Sequence, residues 1–435
     1  MTTVQEARKS WQVQYVNAYI YRRLSSTEWE TTPIDVSRDV LEDKIQQISY
    51  SLDPYAFDVG LFFSSKFTVT LDNSRGKFSD VNNSRSIWSG FLTRDNSIFK
   101  LECGYVSDDG DEVENIAFEG LIKSSTVEED GDVDNIMFDV YGFENIFNDI
   151  NIQSGSLAAG TVSSIIYQML NTPEITEIID IDALNISPDN DFMITVPSAL
   201  SGRPIKEALT DLLIAANSVA YIDSDRVFHC TSRAESDEVA VQLTSNSQRG
   251  LTDNISSIKK YSGEARVFNV FQTSDGEQTS FASTDVLQAY GVKYKSITVD
   301  FVSDETVIQG ILDRLVTEFQ YPKEEYEVET DYLGDAIGLL DKVYLEVFPE
   351  FIDTGSDLPV CGIAVCGEAI LTDYNGGMII TGDKLFKVLK ITHNVRTMTS
   401  TLYIRNVGVN LSDGFAGSDG VLAVCGFAIC GVGGI

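Results

Sequence analysis

Long hydrophobic runs are missing from this sequence, which has no stretch of about 18 uncharged apolar residues such as a membrane-spanning helix needs. The segment from Met1 to Trp11 is polar and mixed in charge, so it lacks the apolar centre of a signal peptide. Proline is scarce, at 9 of 435 residues, whereas 43% of the residues are hydrophobic. We therefore expect a folded chain of about two to four domains that is made in a cytoplasm and has no integral membrane segment.

Histidine is also scarce, and its scarcity narrows the possible chemistry. His229 and His393 are the two histidines of the chain, and each falls in a predicted strand with no nucleophile and acid pattern around it. No glycine-rich phosphate loop is present. A carboxylate pair for glycoside cleavage cannot be singled out among 66 acidic residues. The sequence thus predicts no catalytic residue and no cofactor.

Basic residues are few, and no basic stripe occurs. The chain has 31 lysines and arginines against 66 acidic residues, for a net charge of -35 that is spread along the sequence. Tight binding of nucleic acid needs clustered cations that displace phosphate counterions, so this composition argues against it. Two interpretations stay open: the acidic exterior of an ordinary folded protein, or a surface that stays near DNA or anionic lipid without binding it.

The first third of the chain carries the alternation of apolar and polar residues that is typical of strands. Predicted strands lie at 11–24, 66–73, 98–106, 116–123 and 136–141. Two acidic segments between them, 107–114 and 128–134, each contain an Asp-Gly pair that favours a hairpin turn. Residues 11–150 are therefore predicted to form a β-barrel or sandwich.

The middle of the chain has a helical period instead. After a small-residue linker at 155–160, Thr161 is a suitable cap for a helix with apolar residues from Val162 to Leu170. A second helix begins at Pro204 and ends near Asn217, and 219–230 then reads as a hairpin. Residues 155–235 are predicted to form a small α+β domain.

Strand patterns return after residue 250. Predicted strands lie at 265–273, 296–302, 326–328, 342–347, 385–393 and 401–407. Between them, Asp304 can cap a helix over 304–320, and Pro322 follows its end. Residues 250–410 thus form a second β block of about the size of the first, and the fold class is mainly β with a small α+β insert.

One acidic loop has part of a calcium-binding pattern. Asp130, Asp132 and Asp134 occupy the alternate positions of an EF-hand loop, but Asn135 and Tyr141 replace the glycine and glutamate that such a loop needs. An EF-hand is excluded, and a weak cation site at the loop tip stays open beside a plain solvated hairpin.

Six cysteines divide into two kinds. Cys103 and Cys230 stand alone in predicted strands and are expected to be buried thiols. Cys361 and Cys366, and likewise Cys425 and Cys430, belong to two near copies of one phrase, Val-Cys-Gly-apolar-Ala-apolar-Cys-Gly. Zinc ligation and disulfide bonding are the alternatives for these four cysteines, but the small and apolar residues between the cysteines favour a contact surface.

The segment 411–435 is largely apolar. Residues 411–435 carry the second cysteine phrase and finish in Gly-Val-Gly-Gly-Ile. We expect this segment to meet a partner, with Cys361, Cys366, Cys425, Cys430 and Ile435 as candidate interface residues.

Several phrases resemble those of bacteriophage tail-tip and baseplate hub proteins. The opening strands of that family end in Asn before a turn that contains glycine, and aromatic-x-Gly-x phrases follow. The similar segments in this sequence are Ile48–Asp53, Phe67–Asn73 with Gly76 and Phe78, Trp88–Leu92, Phe118–Ile122, Leu333–Asp335, Phe386–Ile391 and Thr401–Ile404. The likeness covers most of 11–410, whereas the two cysteine phrases have no counterpart in it.

The resemblance implies a structural virion protein rather than an enzyme. It implies two related β-barrel domains, at 11–150 and 250–410, around the helix-hairpin domain at 155–235. Three subunits would then form a homotrimeric ring with pseudo-sixfold symmetry that closes the tail tube. The ring would contact the tube, distal tail or baseplate proteins, and a central fibre or spike. Its acidic residues would line a conduit through which genome DNA passes without specific binding.

Location and alternatives follow from the same resemblance. It implies a place at the tail tip of the virion, after assembly in the bacterial host cytoplasm. The runner-up is a tail-associated enzyme that degrades the cell wall, and a third possibility is a secreted acidic β-sandwich adhesin.

Overall fold

The structure of the chain is a computed structural model that describes a defined set of residues. These are residues 13–25, 28–41, 48–51, 64–91, 93–106, 112–123, 128–130, 134–182, 184–222, 226–232, 239–244, 255–261, 267–331, 337, 341–347, 385–394 and 399–406.

Eight strands make up the first β block. They are β1 (Val13–Tyr21), β2 (Ile34–Asp35), β3 (Ile48–Ser51), β4 (Ser64–Asp72), β5 (Ile98–Val106), β6 (Glu112–Ile122), β7 (Glu128–Asp130) and β8 (Asn135–Tyr141). Strands β4, β8, β6, β5, β1 and β2 are neighbours in that order, and a bridge between Val40 and Leu71 brings the chain back to β4. The strands therefore close into a small barrel.

Alternation along the strands fills the first barrel. Because successive side chains point to opposite faces, one apolar set from each strand meets in a single core. Phe67 is at its centre, with its ring centroid 6.2 Å from that of Phe99 and 6.0 Å from that of Phe118. The predicted turn after β4 is present, since Gly76 has a φ of 68° that favours glycine.

The middle of the chain holds short strands and most of the helices. The elements are β9 (Gly160–Thr161), α1 (Val162–Leu170), α2 (Pro173–Thr176), β10 (Asp180–Ile181), β11 (Met193–Ile194), α3 (Ile205–Ala215), β12 (Ser218–Ile222) and β13 (Val227–Ser232). Short 3-10 helices lie at Ser37–Asp39, Phe143–Asn148 and Pro197–Leu200. The Thr161 side chain accepts a hydrogen bond from the Ser164 N–H, which confirms the predicted cap of α1.

The remaining elements complete the chain. They are β14 (Val239–Thr244), β15 (Ile255–Tyr261), β16 (Val270–Thr273), β17 (Thr279–Phe281), α4 (Thr284–Tyr290), β18 (Tyr294–Ile297), α5 (Glu305–Phe319), β19 (Glu325–Asp331), β20 (Lys342–Glu346), β21 (Leu385–Asn394) and β22 (Thr399–Asn406). Strands β15, β19, β22, β21, β20 and β14 are successive neighbours around a second apolar core. In that core the rings of Tyr326 and Phe386 meet edge to face at 5.4 Å.

Strand β3 joins the two β blocks. It pairs with β4 on one side, through Ser49 opposite Lys66, and with β21 on the other, through Ser49 opposite Thr392. Within the described ranges, fourteen strands consequently belong to one sheet. We call it the long sheet.

A third core lies between the helices. Helix α5 buries one face there together with α1 and α3, and the three-stranded sheet β17–β16–β18 contributes Phe271 and Ile297. Arg314 on α5 donates 2.6 Å and 2.7 Å hydrogen bonds to the Ala215 carbonyl and the Asn190 side chain. A cation at the carbonyl end of α3 stabilises the helix dipole, so α5 is held against the middle unit.

The mainly β fold class with a small α+β insert is confirmed, as are most of the predicted elements. The two acidic segments do join hairpin partners, since Val106 pairs with Glu112 and Asp130 with Asn135. The domain boundaries at 11–150, 155–235 and 250–410 stay predictions, as does the superposition of the two β blocks. The predicted helix at 304–320 is present as α5, and its buried face lies in the middle core.

Two predicted strands are shorter than expected. The strand predicted at 296–302 ends at Ile297, because Val299 and Phe301 alternate as a strand would but lie in a turn that packs on the middle core. The strand predicted at 265–273 begins at Val270, after Asn269 has used its side chain to bond Gly291 and Lys293. Segment 411–435 lies outside the described residues.

Among the helices of the described ranges, none is both long and apolar enough to cross a bilayer.

Gly120 lets two strands of the first barrel approach closely, which gives a test of the packing. A Cβ at this position would lie 2.3 Å from the Tyr141 carbonyl oxygen. We expect Gly120→Ala to lower the free energy of unfolding by about 2 kcal/mol or more, measured by urea denaturation. The matched control is Gly310→Ala in α5, where a Cβ meets nothing within 4 Å and should stabilise by about 0.5–1 kcal/mol. Equal effects of the two substitutions would contradict the packing described here.

Candidate functional site

The cysteine and C-terminal candidates lie outside the described residues. Cys361, Cys366, Cys425, Cys430 and Ile435 therefore keep their status as predicted interface residues, and zinc or disulfide bonding by the four cysteines is likewise untested. Cys103 and Cys230 are buried, as predicted. Burial raises the pKa of the Cys230 thiol to about 12, so it stays protonated and unreactive at neutral pH.

The two histidines lie apart, in different sheets. His229 Nδ1 is 3.3 Å from the Asp182 carboxylate, and its ring stacks on Tyr221 at 4.9 Å. His393 Nδ1 is 2.9 Å from the Ser400 hydroxyl, and burial lowers the pKa of this imidazole to about 4. These contacts put a carboxylate beside one histidine and a hydroxyl beside the other, whereas a triad needs both beside one imidazole.

Metal-ligating side chains do not gather in the described ranges, where no three His, Cys, Asp or Glu residues are placed to hold an ion. The weak cation site considered at Asp130, Asp132 and Asp134 stays a prediction, because Asp132 lies outside the described residues.

One side of the long sheet faces away from the two barrel cores and forms a surface to which many strands contribute. We call it the polar face. Lys66 of β4 and Thr392 of β21 are both opposite the same backbone position of β3, so this row runs from one barrel to the other. The charged and aromatic members of the polar face include Lys66, Lys100, Glu102, Glu119, Asp139, Tyr141, Glu325, Glu327, Glu329, Lys387, Lys390, Tyr403 and Arg405.

On the first barrel, cations of the polar face are paired with carboxylates. Lys66 Nζ lies 2.7 Å from Asp139, which also accepts a 2.5 Å hydrogen bond from Thr68. This bond with Asp139 raises the pKa of Lys66. Lys100 Nζ lies 2.5 Å from Glu102. Each positive charge thus sits beside a fixed negative one.

On the second barrel the pairing is more deeply buried. Arg405 Nε donates a 2.7 Å hydrogen bond to Glu325, and Tyr403 donates to the other oxygen of that carboxylate. Arg405 and Glu325 are 4% and 2% exposed, so water screens their attraction little. Glu327, two residues further along β19, accepts a 2.7 Å hydrogen bond from Tyr261 on β15. Removing one member of the buried pair would leave an uncompensated charge.

A row of buried cations continues from that pair. Lys342, Lys387 and Arg405 are opposite one another on β20, β21 and β22, and Glu325 on β19 ends the row. All four residues are buried. Because the charged ends of this row are withdrawn from the surface, phosphate groups outside the sheet do not contact them directly.

A buried carboxylate lies where the first barrel meets the middle unit. Glu144, in the 3-10 helix after β8, accepts a 2.6 Å hydrogen bond from the Ser65 backbone N–H at the start of β4. Gly142 makes the approach possible, since a Cβ there would lie 2.0 Å from the Ser65 hydroxyl. Burial raises the pKa of Glu144 to about 7, and the hydrogen bonds from Ser65 and the charge of Lys206 act in the opposite direction.

Neighbouring contacts strengthen the same junction. Arg226, the residue directly before β13, forms an ion pair with Glu119, and its guanidinium lies 4.7 Å from the Phe143 ring centroid. Lys123 Nζ is 2.8 Å from Asp149. These two ion pairs, the cation–π contact and the hydrogen bond between Ser65 and Glu144 therefore fix the first barrel on the middle unit.

Comparison with known proteins shows that the chain is similar to solved structures in its fold. Neither a protein-family sequence model nor a curated protein sequence matches the chain. Among solved structures, the tail protein from Neisseria meningitidis MC58 is similar, with a TM-score of 0.51 and 11% identity over 92% of this chain and 98% of that chain. This shows a shared fold, and it confirms the sequence resemblance at that level.

Two further structures align at a TM-score of 0.48. They are the 43 kDa tail protein of prophage MuSo2 from Shewanella oneidensis, at 11% identity, and the prophage tail protein gp18 from Listeria monocytogenes EGD-e, at 10%. The alignments cover 90% and 92% of this chain, respectively, and 97% of each of theirs.

Sequence reasoning missed the features that give the polar face and the junction their electrostatics. The alternation from Glu325 to Asp331 does place its acidic residues on one face of a strand. Nothing local, however, signals that Arg405 is opposite Glu325 or that Glu144 is buried against Ser65, because both contacts join distant parts of the chain.

The carboxyl group of Glu144 makes stability depend on pH. Between its ordinary pKa of 4.5 and its folded value of about 7, the folded chain holds a proton that the unfolded chain has released. Its contribution to stability is therefore present at low pH and is lost as pH rises through that window. We expect wild type to lose about 3 kcal/mol relative to Glu144→Gln between pH 4.5 and pH 8, as measured by urea unfolding.

The low-pH measurement is the internal control for this comparison. A neutral Glu144 and a glutamine can both accept the Ser65 hydrogen bond, so the two proteins should have similar stability at pH 4.5. Parallel stability curves across the whole range would show that Glu144 does not titrate as described.

Proposed function

We propose that this chain is a structural subunit of a viral tail, a hub that closes the tail tube at the tip of the virion. The observation that carries the proposal is the long sheet, which spans two barrels and has a polar face on which Lys66, Lys100 and Arg405 each lie beside a carboxylate. The fold shared with the Neisseria tail protein over nearly the whole of both chains supports it.

The polar face suits a conduit for DNA. Binding to the phosphate backbone gains free energy when unpaired lysines and arginines release counterions. On this face Lys66, Lys100 and Arg405 already have carboxylate partners. Together with a net charge of -35, this arrangement lets a polyanion pass without specific binding.

A closed tube end requires more than one copy. Two β blocks in each chain give six barrels in a trimer, which would match a tube of hexameric rings. In this proposal the polar faces line the central passage, and the partners are the tail tube, distal tail or baseplate proteins, and a central fibre or spike. Assembly takes place in the bacterial host cytoplasm, and the hub then resides at the tail tip of the virion.

The oligomeric state tests the hub. We expect the purified chain to have a mass of three times 47.9 kDa by light scattering, and to form rings with a central opening in negative-stain images. Because a ring is held by protein contacts, its mass should not change when short duplex DNA is added. A monomer at the concentrations used for imaging, or a ring that retains DNA at physiological salt, would contradict the proposal.

We also propose that the chain has no catalytic role. In support, the low pKa of His393 makes it a weak base at neutral pH, and the carboxylate of Asp182 lies beside the other histidine, His229, in a different sheet from His393. The buried Cys230 thiol stays protonated at neutral pH.

Activity on the cell wall tests this second proposal. We expect no release of reducing ends or free amines when the purified chain is incubated with bacterial peptidoglycan, with a muramidase as the positive control. Release that a single substitution at His229 or His393 abolishes would show that the chain is an enzyme.

A further inference from the structure

The small sheet β17–β16–β18 packs one of its faces against helix α5. Phe271 of β16 lies in the middle core, and Ser280 of β17 donates a 2.6 Å hydrogen bond to Asp313 on α5. Because successive side chains of a strand point to opposite faces, Val270 of β16 and Phe281 of β17 face away from the helix. We call that side of the sheet its outer face.

Register brings two aromatic residues into one row on the outer face. Val270 is opposite Phe281 on one side and opposite Tyr294 on the other. Phe281 and Tyr294 are 58% and 59% exposed, whereas Val270 between them is fully buried. Tyr167 is the remaining exposed aromatic residue of the described ranges. Exposed apolar side chains that cluster mark an interaction site, whereas single ones are ordinary. We call Phe281, Val270 and Tyr294 the aromatic row.

A row of uncharged polar residues runs beside the aromatic row. Thr279, Gln272 and Ser296 are opposite one another, two residues along the three strands. The Gln272 amide donates a 3.1 Å hydrogen bond to the Ser296 hydroxyl, so both side chains lie on the same face. Hydroxyl and amide groups both donate and accept hydrogen bonds. The outer face thus combines exposed aromatic rings with neutral hydrogen-bonding groups.

The aromatic row is too small for a stable contact with another protein. Since a buried aromatic side chain covers about 150–250 Å², Phe281 and Tyr294 at 58% and 59% exposure offer on the order of 250 Å². A stable protein interface buries about 800 Å² on each partner. The area of the row therefore matches a ligand that is a few rings long.

Charge narrows the ligand further. All six residues of the aromatic and polar rows are uncharged. A chain with a net charge of -35 repels an anionic polymer, and a cationic ligand has no carboxylate in either row with which to pair. The outer face consequently suits a neutral ligand that has both apolar faces and hydroxyl groups.

We propose that the outer face binds a neutral β-1,4-linked oligosaccharide whose sugar rings stack on Phe281 and Tyr294. The face of an aromatic ring is negative and attracts the C–H groups of a sugar ring. Two strand spacings separate the aromatic residues, so their backbones are about 10 Å apart, which suits alternate sugars of an extended chain. Sugar hydroxyls would bond to Thr279, Gln272 and Ser296. This binding goes beyond the proposed structural role and does not depend on it.

Isothermal titration calorimetry on the full chain tests the glycan site. The probes are cellohexaose, which is β-1,4-linked and extended, and maltohexaose, which has the same sugars in a curved α-1,4-linked chain. We expect cellohexaose to bind at least about tenfold more tightly than maltohexaose. Phe281→Ala and Tyr294→Ala should each weaken the binding of cellohexaose by about tenfold or more, because each removes one stacking ring.

Two matched variants separate ring stacking from other effects. Tyr167→Ala removes an exposed aromatic residue on α1, outside the row, and should bind cellohexaose as wild type does. Tyr294→Phe keeps the ring and loses the hydroxyl, so it should also bind within about twofold of wild type. Thermal unfolding confirms that all four variants fold.

Several results would overturn the glycan site. These are no binding of cellohexaose by wild type, equal binding of the two probes, or equal loss in Tyr167→Ala and Tyr294→Ala. Loss in Tyr294→Phe as large as that in Tyr294→Ala would also refute ring stacking. A lower oligomeric mass of Phe281→Ala than of wild type would make the outer face a contact between copies. A wild-type monomer, in contrast, would refute the trimeric hub while leaving the glycan result intact.

Discussion

The pairing of strand β3 with both β4 and β21 is the constraint on which the rest of the architecture depends. Ile48 is opposite His393, and Ser51 is opposite Ser64, so one short strand links the first barrel to strands near the other end of the described chain. Such pairing closes a very long loop, and the entropic cost is recovered only when both barrels are formed. The two barrels therefore have a fixed register, and their outward faces become one surface.

Charged side chains of both barrels are arranged on that single surface. Lys66 and Lys100 of the polar face lie beside carboxylates, and the buried Arg405 bonds to Glu325, which also accepts a hydrogen bond from Tyr403. A buried ion pair adds little net stability when compared with apolar packing, but breaking it is costly. Its more evident effect is on geometry, because it joins β19 to β22 on the polar face of the second barrel. At the other junction, Glu144 links the first barrel to the middle unit through Ser65.

How much of this could be predicted depended on how local each signal is. Alternation over 98–106 and 136–141 gave strands whose bounds match closely, and the caps Thr161 and Asp304 gave the starts of α1 and α5. Helix α4 was missed although Ser283 precedes it and Gly291, with a φ of 69°, ends it. The turn at 298–302 was predicted to be part of a strand because its apolar residues alternate as those of a strand do. Pairings between distant segments, such as β3 with β21 or Arg405 with Glu325, have no local signature at all.

Amide hydrogen exchange across β3 tests the central claim most directly. If β3 joins the barrels into one sheet, the backbone amides of 48–51 should exchange as slowly as those of the β4–β8 ladder, and those of 390–393 should follow them. Fast exchange at 48–51 beside slow exchange in both barrels would contradict the account, since the two barrels would then be separate bodies without a shared sheet.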